Sequence, residues 1–143
     1  MNSKTFLVIN LSCFGDILLT NSLCQNLKMN YPDSKIVFMV DKPFEDVAKY
    51  QKDVDDVLVF DKLKTKGFFK LLKYAKNCTY KNKIDAAFVI YGNSRGLILS
   101  KLLGVKQIVS GALKKSFLIN TPQPKCYIVL FQSFIDFHIN ISR

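Results

Sequence analysis

The stretch from Phe6 to Leu23 constrains the fold more than any other part of this sequence. Phe6-Leu7-Val8-Ile9-Asn10-Leu11 is apolar on both alternating faces and rich in β-formers. A strand of that kind belongs inside a parallel sheet covered on both sides. Ser12-Cys13-Phe14-Gly15-Asp16 follows as a turn, and Gly15 is expected to let the backbone bend where a side chain would obstruct it. Asp16 stands where a helix should begin, so its carboxylate is expected to cap free N–H groups and complement the positive helix end. Leu19, Leu23 and Leu27 recur at helical spacing, and Tyr31-Pro32-Asp33 stops the helix because Pro32 disfavours helical geometry at the residue before it. In open α/β sheets ligands bind in the crevice at the carboxyl ends of the strands. Ser12 to Asp16 should lie on that rim.

The rest of the chain repeats the pattern. Lys35 to Val40 reads as a second strand, and Asp41-Lys42-Pro43-Phe44-Glu45 opens a short helix reaching about Gln51, with Pro43 suited to its first turn. Val57 to Phe60 is a third strand, Ile84 to Tyr91 a fourth and Val105 to Val109 a fifth. Gly92 to Gly96 reads as the rim loop after the fourth strand, and Leu97 to Leu103 as a helix closed by Gly104. Strands alternating with helices at this pace predict βαβ units and a parallel sheet. The expected fold class is therefore α/β, a Rossmann-like parallel sheet with flanking helices.

Charge and cysteine usage narrow the function. Within 143 residues, 21 Lys and Arg against 11 Asp and Glu give a formal net charge of +10, which favours anionic partners. Between Asp61 and Asp85 there is no acid but there are eight lysines, at 62, 64, 66, 70, 73, 76, 81 and 83. Phe68, Leu71, Leu72 and Ala75 make part of this run an amphipathic helix, so Lys70 to Lys83 read equally well as its solvated face. Lys62, Lys64 and Lys66 follow a strand and precede that helix. They are expected on the same rim as Asp16, as flexible cations able to grip phosphate or carboxylate groups. Cysteines 13, 24, 78 and 126 form no Cys-x-x-Cys pair and His138 is the lone histidine. No zinc site or catalytic triad is expected from that set, and free thiols fit a reducing cytoplasm. No G-x-G-x-x-G or G-x-x-x-x-G-K-[ST] cradle occurs. No apolar run reaches the ~20 residues of a membrane span. Without a recognisable reader module, no nucleic acid partner is expected. Cys126 to Ile141 is apolar but poorly periodic and has no firm reading.

Leu11 to Thr20 followed by Tyr31-Pro32-Asp33-Ser34-Lys35-Ile36 resembles the start of the ADP-heptose:lipopolysaccharide heptosyltransferase family, glycosyltransferase family 9. That family shows a strand, Ser-Ser-Leu/Met-Gly-Asp, a helix, Tyr/Phe-Pro and a second strand. The likeness continues through Asp53-Val54-Asp55-Asp56-Val57-Leu58-Val59-Phe60-Asp61 and Asn93-Ser94-Arg95, and covers roughly residues 5–112. Cys13 replaces a common Ser, Asn10 a common Lys or Arg, Val89 a common Asp and Tyr91 a common His.

The resemblance implies the N-terminal, acceptor-binding domain of a GT-B glycosyltransferase at residues 1–125, an apolar tail at 126–143, and a donor-binding domain lying outside this chain. It implies inverting transfer of heptose from ADP-heptose, with no cofactor or metal, to a lipid-linked, anionic core oligosaccharide at the inner face of the cytoplasmic membrane. Peripheral contact with that anionic membrane face follows as an expectation. Asp16 matches the proposed catalytic base. Ser12, Cys13, Gly15, Lys62, Lys64, Lys66, Asn93 and Arg95 are the acceptor-side candidates, with Arg95 suited to a phosphate or sugar-acid carboxylate. The rival from another class is a non-catalytic α/β module holding an anionic glycan or a partner protein without turnover.

Overall fold

The computed structural model describes residues 3–90 and 94–110. Its elements are β1 (Thr5–Asn10), α1 (Phe14–Asn30), β2 (Lys35–Asp41), a 3-10 turn (Lys42–Phe44) leading into α2 (Glu45–Lys49), β3 (Asp56–Phe60), α3 (Phe68–Asn77), β4 (Ala86–Val89), α4 (Ser94–Leu102) and β5 (Gln107–Ser110). The five strands form one parallel sheet in the order β3-β2-β1-β4-β5. This is the expected α/β class. The tail at 126–143 lies outside the described residues.

Alternation along β1 divides the core. Phe6 and Val8 face one layer with Ile17, Leu23, Cys24 and Leu27 of α1 and Ala48 of α2. Leu7 and Ile9 face the other, with Leu71 and Ala75 of α3 and Leu97 and Leu99 of α4. Both faces being covered explains why β1 and β2 carry continuous apolar runs. The strand order reverses between β1 and β4: the chain leaves β1 towards β2 and β3, then returns to pair β4 on the other side of β1. That reversal is a topological switch point, and its crevice opens at the carboxyl ends of β1 and β4.

Two aspartates brace the opposite rim. Asp55 accepts from the Ile36 N–H at 2.7 Å and pairs with Lys28 at 2.7 Å. Asp85 accepts from the Thr5 N–H at 2.9 Å. Each accepts from a backbone N–H at the start of a neighbouring strand, so these acids serve the sheet at the end away from the crevice.

Several sequence expectations need correction. Leu19 is 63% exposed, and the buried face of α1 runs through Ile17, Thr20, Leu23, Cys24 and Leu27. Steps of four residues drift by about 40° each around a 3.6-residue helix, which carries Leu19 off the face that Leu27 occupies. β4 pairs over 86–89 alone, since Asp85 turns its carboxylate onto β1 just before the ladder begins. β5 begins at Gln107, not Val105. The helix after β3 starts at Phe68, and Lys66 lies in the loop before it, as expected. α4 begins at Ser94, so Arg95 and Gly96 belong to its first turn and not to a rim loop. It ends before Gly104 at φ +72, as its composition predicts.

Candidate functional site

The site is built on the turn between β1 and α1. Asn10 closes β1 and is fully buried. Its carboxamide donates to Thr20 Oγ1 at 2.8 Å and accepts the Ser12 N–H at 3.0 Å. The Thr20 hydroxyl donates in turn to the Asp16 carbonyl at 2.7 Å. Buried amides need such partners, and here they tie the end of the strand, the turn and the first two turns of α1 into one unit.

On that frame the Ser12 hydroxyl donates to Asp16 Oδ2 at 2.7 Å, and the Cys13 thiol donates to the same oxygen at 3.0 Å. Asp16 is half-buried in the first turn of α1, at the positive helix end. It is not the cap. Cys13 occupies the cap position with extended backbone and makes no side-chain cap bond. Gly15 likewise lies in helical backbone, and a Cβ there would meet no atom within 4 Å. The turn does not require glycine. The missing side chain leaves open space at Gly15, next to Asp16 in sequence.

Across the crevice, the chain leaves β4 and enters α4, which places Arg95 half-buried in the first turn of that helix. β1 and β4 are adjacent, so α1, which carries Asp16, and α4, which carries Arg95, follow neighbouring strands. Asn93 lies outside the described residues.

Lys62 is not a flexible cation. Its ammonium donates to the Leu11 carbonyl at 2.6 Å and pairs with Asp41 at 3.3 Å, while its N–H bonds Asp41 at 3.1 Å. These contacts lock the ends of β1, β2 and β3 together. Lys62→Ala is expected to cost about 1–2 kcal/mol, since it strips a charge-assisted bond from Leu11 and leaves the Asp41 carboxylate unpartnered by Nζ. Lys64→Ala and Lys66→Ala should stay within about 0.5 kcal/mol of the parent. Urea midpoints of the three variants check this, and equal midpoints would refute the bracing role.

Lys64 and Lys66 are exposed on the loop after β3. They share the rim with Asp16 but stand at the sheet edge, about 10 Å from β1 by strand spacing. A groove of about 570 Å³ opens there, lined by Leu58, Val59, Lys64, Lys70, Lys73 and Tyr74 among others.

The thiols differ sharply. Burial pushes the Cys24 thiol up to about 12, whereas Cys13 is exposed beside Asp16. The thiolate is the reactive form, so Cys13 should react with maleimide well before Cys24 in the native protein. Peptide mapping of a labelling time course would read the order, and Cys24 reacting first would contradict this packing.

Asn10 and Thr20 are the site residues that sequence reading misses. The available signal was an amide inside an otherwise apolar strand, which must find partners.

Comparison with solved structures bears on this arrangement. The glycosyl transferase family 9 protein from Veillonella parvula superposes with a TM-score of 0.68 at 24% identity, covering 77% of this chain and 33% of that one. The ADP-heptose lps heptosyltransferase II of E. coli gives 0.69 at 18% identity, covering 81% and 33%. The chain has the fold of these glycosyltransferases. E. coli heptosyltransferase WaaC with ADP gives 0.68 at 14% identity, covering 85% of this chain and 42% of that one. The present chain thus spans between a third and a half of the length of these neighbours. No family model matches the sequence, and no curated protein matches it.

Proposed function

We propose that this chain is the acceptor-side half of a heptosyltransferase-like glycosyltransferase, and that Asp16 is its catalytic base. The observation that carries the reading is the Asp16 carboxylate, oriented by Ser12 and Cys13 at the switch-point crevice of a fold shared with heptosyltransferases.

In this mechanism an acceptor sugar hydroxyl enters the open space beside Gly15. Its oxygen attacks the anomeric carbon of ADP-heptose from the face opposite the nucleotide. The new C–O bond forms as the bond from the anomeric carbon to the ADP oxygen breaks, which inverts that centre. The hydroxyl proton passes to Asp16, and ADP leaves with the electron pair of the broken bond. Ser12 and Cys13 both donate to Oδ2 and so aim the carboxylate. Arg95, with Asn93 beside it in sequence, binds an anionic group of the core acceptor. The ADP moiety is held by a donor-binding part outside these residues.

The test is ADP-heptose turnover onto a lipopolysaccharide core acceptor by the protein as its cells make it. Release of ADP coupled to a heptose-bearing product with inverted configuration is the expected result. Acceptor binding without any transfer from any nucleotide sugar would replace this reading by that of a non-catalytic glycan-binding module.

A further inference from the structure

We infer that the loop after β3 and the first turn of α3 form a wedge that docks this protein on an anionic lipid surface. α3 needs few of its apolar residues for the core: Leu71 and Ala75 are buried, and the Tyr74 hydroxyl donates to the Val59 carbonyl at 2.9 Å. The remainder face outward. Phe69 is 85% exposed, Leu63 80% and Phe68 56%, and Leu72 continues the strip along the helix. The Phe68 and Phe69 rings meet edge to face with centroids 6.4 Å apart. Exposed apolar side chains gathered on one helix and the loop before it mark an interaction surface.

The charge around the strip selects the partner. Lys64 and Lys66 on the same loop and Lys70, Lys73 and Lys76 on the same helix accompany it, and all five are exposed. The nearest acid in the chain, Asp61, turns its carboxylate inward to accept the Leu63 and Lys64 N–H groups at 3.0 and 3.1 Å. Apolar tips accompanied by lysines match a bilayer interface, where rings and leucines enter the acyl boundary and ammonium groups meet anionic headgroups. Grooves on both flanks of α3 repeat the composition, one carrying Lys64, Lys70 and Lys73 and the other Lys76 and Lys81 beside Leu72 and Leu102. The wedge stands on the same rim as Asp16, so docking through it turns the crevice towards the membrane.

The chain contains no tryptophan, so Phe69→Trp supplies a single reporter in the full chain. Its emission is expected to be solvent-like in buffer. With vesicles of phosphatidylcholine and phosphatidylglycerol it should shift to the blue and be quenched by brominated acyl chains. Phosphatidylcholine vesicles alone should bind at least about tenfold more weakly. Lys64→Gln, Lys66→Gln and Lys70→Gln together should lower partitioning by a similar factor, and Leu63→Ser with Phe68→Ser should remove the blue shift. A blue emission already present in buffer would show the strip covered by protein and overturn the inference. So would equal partitioning to both vesicle types, no shift with either, or a shift produced by duplex DNA and not by vesicles. The inference goes beyond the transfer chemistry. The vesicles carry neither glycan nor nucleotide sugar, so failure here leaves the role of Asp16 standing, and an inactive Asp16 leaves the wedge standing.

Discussion

Asp16→Asn is expected to lower kcat for heptose transfer by about 10²–10⁴-fold, the range that a positioned general base supplies. The amide keeps the size of the carboxylate, and its oxygen still accepts from Ser12 and Cys13. Folding should therefore be untouched, and acceptor KM should change little. What disappears is the group that takes the proton. Ser12→Ala should act in the same direction but more weakly, by roughly tenfold in kcat, because a charge-assisted bond of the kind it removes only aims the base. The readout is initial rate against acceptor concentration for the parent and both variants, with thermal unfolding alongside. An Asp16→Asn protein within a few-fold of the parent would end the base assignment. A variant whose loss lies wholly in acceptor KM would make Asp16 a binding residue instead.

This expectation depends on the turn being rigid, and its rigidity was only half legible in the sequence. An apolar run from Phe6 to Ile9, a polar turn and a helical period locate β1, the site loop and α1, because a strand buried on both faces needs apolar residues at successive positions. The long-range partners could not be read. Lys62 looks like any rim lysine until the fold brings it to Leu11, 51 residues earlier, and to Asp41, 21 residues earlier. Asn10 looks like a flaw in a strand, or a lost cation, until Thr20 turns back to meet it. The start of α4 was hidden for a related reason. Gly-Asn-Ser-Arg-Gly has the composition of a loop, and composition cannot tell a glycine that bends a chain from one that lets a helix approach a sheet.

Gly96 is the second kind, and substituting it should carry the largest stability cost on the crevice. A Cβ at Gly96 would stand 2.8 Å from Val89 Cγ1 and 3.3 Å from Ile9 Cγ2. Both neighbours are buried β-branched residues on adjacent strands, β4 and β1, with little rotamer freedom to move aside. Gly96→Val should destabilise the protein by about 3 kcal/mol, the upper end for overpacking. Gly96→Ala gains about 1 kcal/mol of helix propensity, which offsets part of its own clash, so its net cost should be nearer 1 kcal/mol. The cause can be isolated by a cycle with Val89→Ala, which removes the closest atom. Gly96→Ala should then cost markedly less in the Val89→Ala background than in the parent, since residues in contact are coupled. Equal costs in the two backgrounds would show that Gly96 does not set the helix-to-sheet distance. The same contact links stability to chemistry. Arg95 precedes Gly96 in the first turn of α4, so a larger residue that lifts the helix from the sheet displaces Arg95 with it. Gly96→Ala should therefore raise acceptor KM at temperatures where the variant remains fully folded, and an unchanged KM there would separate Arg95 from acceptor binding.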